Sequence, residues 1–290
     1  MADGAIINNI LLFGPAFFLL AARAFAIIQT APLLSSEAIP VVVKFALSGF
    51  AAFAVIPTAE MFMSANAPSG LIAFPEGGAN DLRYEIFGLR FALLLAGEAV
   101  IGIIIGFYIT IIFATFSTAG QFFSLQMGFG ASETFDPIGQ IENPLMGQYF
   151  NLVSMLIFLV IGGFHKLFLG GFWRSVQTIN IISLIEGRES VVNMLASGLS
   201  RLFLDAIIIS LPILGTLFLT SLATGLISKA APQINILSEG FPISITTAFL
   251  LIFASLPFMI EAFASVIDSG FSNIQTLYTQ TGRQITGDSL

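Results

Sequence analysis

An all-α, membrane-type fold of helical hairpins is what this sequence predicts, and three observations predict it. Charged residues make up only 9% of the 290-residue chain, against 56% hydrophobic ones; an ordinary soluble domain carries about 25% charge. The apolar residues fall into long blocks rather than the short alternating runs of strands, and the mean hydropathy is +0.95. The blocks are joined by short stretches rich in Pro, Ser and Gly, the residues that favour turns. Aromatic usage adds a qualification, because 31 Phe stand against one Trp and four Tyr. Trp and Tyr usually mark the lipid–water interface, so their scarcity predicts that part of the chain faces other protein.

Six apolar blocks can be drawn, at about Ala5–Leu34, Ile39–Met63, Ile86–Phe116, Tyr149–Ile185 (interrupted), Leu202–Ile227 and Phe241–Ile267. A helix crossing the bilayer core needs roughly 20 residues, so the first and third blocks are too long for one simple span and must tilt, protrude or break. Gly14-Pro15, Pro212 and Pro257 offer places to break, since an internal proline removes a backbone donor and clashes one turn back. The stretch Ser64–Arg83 has the Pro/Gly/Asn content of an exposed loop. In Ser117–Gln148, Asp136-Pro137 and Asn143-Pro144 disfavour helix, which predicts an irregular loop without Lys or Arg between two apolar helices.

An internal echo marks two hairpin tips. Ala31-Pro32, Glu37 and Pro40 recur as Ala231-Pro232, Glu239 and Pro242, each set between two apolar blocks. The bland account of the echo is that hairpin tips simply favour Pro, Ser and Glu. Arg83, Arg90, Lys166 and Arg174 place the second and fourth connections on the cytoplasmic side by the positive-inside rule. The N-terminus has no basic residue before Arg23 and its apolar run is too long for an h-region, so no cleavable signal peptide is expected.

Several chemistries are excluded. The net charge of −7 and the lack of Lys/Arg clusters speak against nucleic acid. No cysteine is present and His165 is the one histidine, so neither a metal site nor thiolate catalysis is expected. Gly128-Phe129-Gly130 is no nucleotide signature, and no nucleophile–base set stands out. The expectation is a chain with no catalytic residue, no metal and no cofactor. The ionisable residues within apolar runs carry more information: Arg23, Lys44, Glu60, Glu98, Asp205 and Glu261. Charges at bilayer depth usually face protein or water. Lys44 and Glu60 sit near block ends, where snorkelling accounts for them. Arg23, Glu98 and Asp205 lie deeper, and structural ion pairing between subunits explains them better than a proton relay, although pairing with each other is left open. Small residues form a second signal. Gly102 and Gly106 permit close helix approach, and Gly120, Ser124 and Gly128 continue the four-residue spacing.

Specific strings then carry a resemblance. Thr30-Ala31-Pro32-Leu33-Leu34 with Pro40 and Lys44, the central Ser117–Gly120, Leu125-Gln126-Met127-Gly128 and Asp136-Pro137, and Ala231-Pro232-Gln233 with Gly240-Phe241-Pro242 resemble the FliR/SpaR/YscT family of type III export-gate subunits. The resemblance covers most of the chain from about Ala21 to Ile245, and its central string favours the flagellar branch. It implies a FliP-like part, about 1–200, fused to a FliQ-like hairpin and tail, 201–290, within a hetero-oligomeric helical cone that stands partly on the periplasmic side of the inner membrane. It implies FliP-like and FliQ-like partners, FlhB-like and FlhA-like export components, and unfolded protein substrates in transit. The central loop, about 127–146, would be a plug that helps close the channel. Gln126, Met127, Gly128, Phe129, Gly130, Glu133, Phe135, Asp136 and Pro137 are its candidate residues. Gly128 and Gly130 allow tight backbone, Phe129 and Phe135 are suited to excluding water, and Glu133 departs from the family pattern. A secondary transporter of a small solute is the alternative from another class, since it too uses broken helices and repeats.

Overall fold

A backbone surrounded by apolar side chains has no water to bond to, so it satisfies its own N–H and C=O groups as helix. The computed structural model describes residues 2–66, 88–128, 145–179, 181–231 and 236–286, and among these only helices and short connections occur. We label the helices α1 (Ala2–Thr30), α2 (Val41–Asn66), α3 (Leu89–Met127), α4 (Leu145–Val160), α5 (Gly163–Thr178), α6 (Ile181–Glu186), α7 (Arg188–Ala230) and α8 (Ile236–Thr286). Three of them are long and apolar enough to cross a membrane: Phe91–Met127 within α3, Arg188–Ala230, and Gly240–Thr279 within α8. The α4–α5 pair, bent at its break, makes a fourth if read as one span.

The proline expectation needs correcting. Pro15, Pro212 and Pro257 lie inside α1, α7 and α8, which run on through them. A proline forfeits one backbone hydrogen bond, whereas ending a helix in apolar surroundings orphans several donors and acceptors at once. Continuing is the smaller loss. The break that does occur lies at Ile161-Gly162, where Gly162 has φ +71° and nothing lies within 4 Å of where its Cβ would be. That left-handed turn suits glycine. Just beyond it, α5 contains an eight-residue π-helical stretch, Lys166–Trp173.

The chain forms two compact units, each assembled from separated segments: residues 1–110, 164–196 and 271–290 in the first, and 111–163 and 197–270 in the second. In the first unit α1 packs on α2, and both meet α5. The first hairpin tip lies where expected, with Ala31–Pro40 outside helix between α1 and α2. Glu37 and Pro40 are exposed there and Pro32 is half-buried. Lys44 does not snorkel. It is buried, and its ammonium donates to the Ser35 carbonyl at 2.8 Å and to Gln29 Oε1 at 3.3 Å. The ammonium thereby satisfies a tip carbonyl that lies outside helix, which gives the lysine a reason to fold back. Glu60 lies in α2.

In the second unit a phenylalanine cluster forms the core. Phe116 and Phe150 both pack on Phe263, with ring centroids 4.3 and 5.5 Å apart, and Phe123 meets Phe150 at 5.1 Å. The second hairpin tip is shorter than the echo suggested. α7 ends at Ala230 and α8 begins at Ile236, so Glu239 and Pro242 are helical. Pro242 falls in the second turn of α8, past the first four N–H groups that have no intrahelical acceptor, so it forfeits one helical hydrogen bond as Pro257 does. Pro232 lies outside the described residues.

Candidate functional site

Three places collect the residues singled out in the sequence. The first is a buried polar centre in the first unit. Arg23 of α1 is 1% exposed, and its Nε donates to Glu98 Oε2 of α3 at 2.6 Å. The other two guanidinium nitrogens are also used: Nη1 donates to Ser175 Oγ at 3.3 Å and Nη2 to the Ile179 carbonyl at 2.9 Å. Arg23 and Glu98 therefore pair with each other inside the chain. A charge-assisted bond of this length is among the stronger protein hydrogen bonds. It ties α1, α3 and the end of α5 into one cluster.

The second place explains how these helices come so near. A Cβ at Gly102 would lie 2.5 Å from the Arg23 carbonyl oxygen and 2.7 Å from the Ala26 Cβ. One at Gly106 would collide with the Thr30 side chain. The Thr30 carbonyl, at the end of α1, accepts from Thr110 Oγ1 at 2.9 Å. Bare glycine on α3 lets its backbone lie against α1, the close approach that small residues allow.

The third place is the end of α3 and the start of α4, in the second unit. A Cβ at Gly120 would meet the Met146 carbonyl oxygen at 2.5 Å and Gly147 Cα at 2.8 Å, and one at Gly147 would lie 3.0 Å from the Ser117 carbonyl oxygen. α3 and α4 thus cross backbone to backbone. Ser124 and Met127 are buried, Gln126 is exposed, and the Ser124 hydroxyl has no partner among the described residues. Gly128 has φ +90° and lies under the Phe241 ring, leaving no room for a side chain. Phe129, Gly130, Glu133, Phe135, Asp136 and Pro137 fall outside the described residues. Asp205 is half-buried on α7, one turn after Arg201.

Among the described residues, no group of His, Asp and Glu could hold a metal ion, and His165 is exposed. The arrangement packs helices and neutralises charge. Sequence reasoning missed Ser175, Ile179 and Tyr278, whose hydroxyl donates to the Gly171 carbonyl at 2.8 Å. Their partners lie up to 156 residues away, so no local pattern announces them.

The apolar helices and glycine crossings can now be set beside known proteins. The family model described as "Bacterial export proteins, family 1" matches residues 15–270. The chain belongs to this export family. Among relatives, it is 34% identical to the flagellar biosynthetic protein FliR of Borreliella burgdorferi, over 64% of this chain and 70% of that one. It is 27% identical to FliR of Bacillus subtilis, over 95% of this chain and 99% of the other. Against FliR of Escherichia coli the identity is 29%, over 87% and 88%. The family match spans all three places described above.

Proposed function

We propose that this export-family protein is a non-enzymatic subunit of the flagellar type III protein export gate, forming and closing the channel for unfolded flagellar proteins. The observation that carries the reading is the family match over residues 15–270, together with relatives named as flagellar biosynthetic proteins. The bare long helices support a hetero-oligomer. Only 33% of the apolar window of α7 and 17% of that of α8 is buried. Phe253 is 79% exposed and Leu226 70%. At about 1.5 Å per residue, the 51-residue α8 is roughly 77 Å long, more than twice the roughly 30 Å hydrocarbon core. Lipid can cover only part of such a helix, so protein must cover the rest.

In this reading residues 1–200 act as the FliP-like part, residues 201–290 form the FliQ-like hairpin and tail, and FliP-like and FliQ-like subunits are the neighbours. FlhB-like and FlhA-like components complete the apparatus. The assembly sits in the inner membrane and flagellar basal body, partly raised to the periplasmic side. The segment from 127 to about 146, which starts at the end of α3 and reaches the first turn of α4, is the plug. The charges Arg23 and Glu98 hold the subunit together, and Asp205 is available to a neighbour. The test is co-expression followed by mass measurement of the gently solubilised product. The chain alone is expected to aggregate or be degraded, and FliP-like and FliQ-like proteins to rescue it into one large complex. A monodisperse, protease-resistant monomer in mild detergent would overturn the proposal.

A further inference from the structure

The π-helical stretch Lys166–Trp173 is the least ordinary backbone among the described residues. Runs of i→i+5 bonding are rare, usually a single turn, and recur at functional sites. This one spans eight residues, with α-helical conformation on both sides at His165 and Arg174. At its centre stand Gly170 and Gly171. Gly97, Gly102 and Gly106 occupy positions where a Cβ would collide. The central pair does not: a Cβ at Gly170 would be 3.5 Å from Gln275 Nε2, and one at Gly171 would be 3.9 Å from its nearest neighbour. Both distances are ordinary contacts, and neither residue has a positive φ. Close packing therefore does not require glycine here. Two adjacent glycines weaken the α register, and that is what a stretch with two registers needs.

Two side chains, one from α8 and one from α5 itself, hold the carbonyls where π returns to α. The buried Tyr278 hydroxyl of α8 donates to the Gly171 carbonyl, which also receives the Arg174 N–H. Ser175 Oγ donates to the Phe172 carbonyl at 2.6 Å. Beyond them, Arg23 reaches Ser175 Oγ and the Ile179 carbonyl. A change of one residue in register turns everything downstream by about 100° around the helix axis. Ser175 would then leave Arg23.

We infer that Lys166–Trp173 is a two-register element, held in the π form by the Tyr278 hydroxyl, and that the last turns of α8 thereby set whether Ser175 and Ile179 meet Arg23. The inference concerns two states of one chain and stands apart from the export-gate reading. The chain has no cysteine, so Ser175→Cys introduces a single thiol at a fully buried position. Its reaction with N-ethylmaleimide would be measured on the full chain in native membranes, in the parent and in Tyr278→Phe and Gly171→Ala backgrounds. Ser154→Cys, buried in the second unit, serves as the control. Losing one hydrogen bond shifts a two-state balance about two- to tenfold. Tyr278→Phe removes that bond and should accelerate labelling of the Ser175→Cys thiol by that factor. Gly171→Ala keeps the carbonyl but favours the α register and should accelerate it about fivefold, while labelling of the Ser154→Cys control stays constant. Equal rates at position 175 in all three backgrounds would overturn the inference. Matching acceleration at both thiols would mean general loosening and would overturn it too. Acceleration with Gly171→Ala alone would reject Tyr278 as the holding residue.

Discussion

Removing the Glu98 carboxylate tests the buried centre most directly. In Glu98→Ala, Arg23 keeps its bonds to Ser175 Oγ and the Ile179 carbonyl but loses its counter-charge, and it stays buried between α1, α3 and α5. A guanidinium cannot shed its proton to escape. Breaking a buried pair from one side typically costs about 3–5 kcal/mol, and a native fold has only about 5–15 kcal/mol in total. Arg23→Met should cost less, because the carboxylate left behind can take up a proton. The double variant Arg23→Met/Glu98→Leu removes both charges and leaves the Ile179 carbonyl as the main orphan, a loss of about 1–3 kcal/mol. The assay is recovery and thermal midpoint of the detergent-solubilised assembly for the three variants. The expected order is Glu98→Ala worst, Arg23→Met intermediate, double variant mildest. A double variant as damaged as Glu98→Ala would show that lost packing, rather than stranded charge, decides the outcome. Parent-like behaviour of Glu98→Ala would refute the reasoning altogether.

Gly106→Val should lower the thermal midpoint of the assembly by an amount corresponding to about 1–3 kcal/mol of overpacking, because its side chain would collide with Thr30. Gly215→Ala, with nothing within 4 Å, should leave the midpoint unchanged or raise it, since alanine favours helix by about 1 kcal/mol. Deleting Gly128–Asp136 should make membranes leak small ions with assembly retained, read as conductance across vesicles containing the complex, and unchanged conductance in an intact complex would count against a plug.

The legible parts of the fold were those written in local pattern. Apolar blocks became helices, and the first tip fell between α1 and α2 as Ala31-Pro32 and Pro40 indicated. Gly102 and Gly106 were readable because residues four apart share one helix face. Helix ends were less readable. α3 runs on to Met127, beyond the last strongly apolar residue of its block, because Ser117–Gly120 are small residues that a crossing helix tolerates and not signals to stop. α8 starts ahead of Pro242 because running through a proline forfeits one hydrogen bond, less than ending the helix would. The π stretch was invisible, since KLFLGGFW reads as any apolar helix and the tyrosine that holds it lies 107 residues further on. Lys44 misled for a different reason. Position near a helix end suggests snorkelling, but a tip carbonyl outside helix lay within reach of the ammonium.

The ion pair and the glycine spacing, read as separate signals in the sequence, work as one device. Glu98 stands one turn before Gly102 on α3, and a Cβ at Gly102 would strike the carbonyl of Arg23 itself. The contact at Gly102 therefore fixes the separation across which the pair must reach. A side chain there would push α1 and α3 apart at the point where the Nε–Oε2 distance is 2.6 Å, stretching a charge-assisted bond whose strength depends on being short. The dependence runs the other way too. Helices in apolar surroundings gain little from burying apolar faces against each other, because lipid serves as well. Close van der Waals contact at the glycines and a buried charge pair are what remain to hold α1 on α3. Arg23 then extends the hold to α5 through Ser175 and Ile179, so one guanidinium joins three segments of the first unit that are far apart in the sequence. A charge placed so deep is costly unless it is paired and hydrogen-bonded, and each of the three nitrogens of Arg23 donates to a partner, one of them the Glu98 carboxylate.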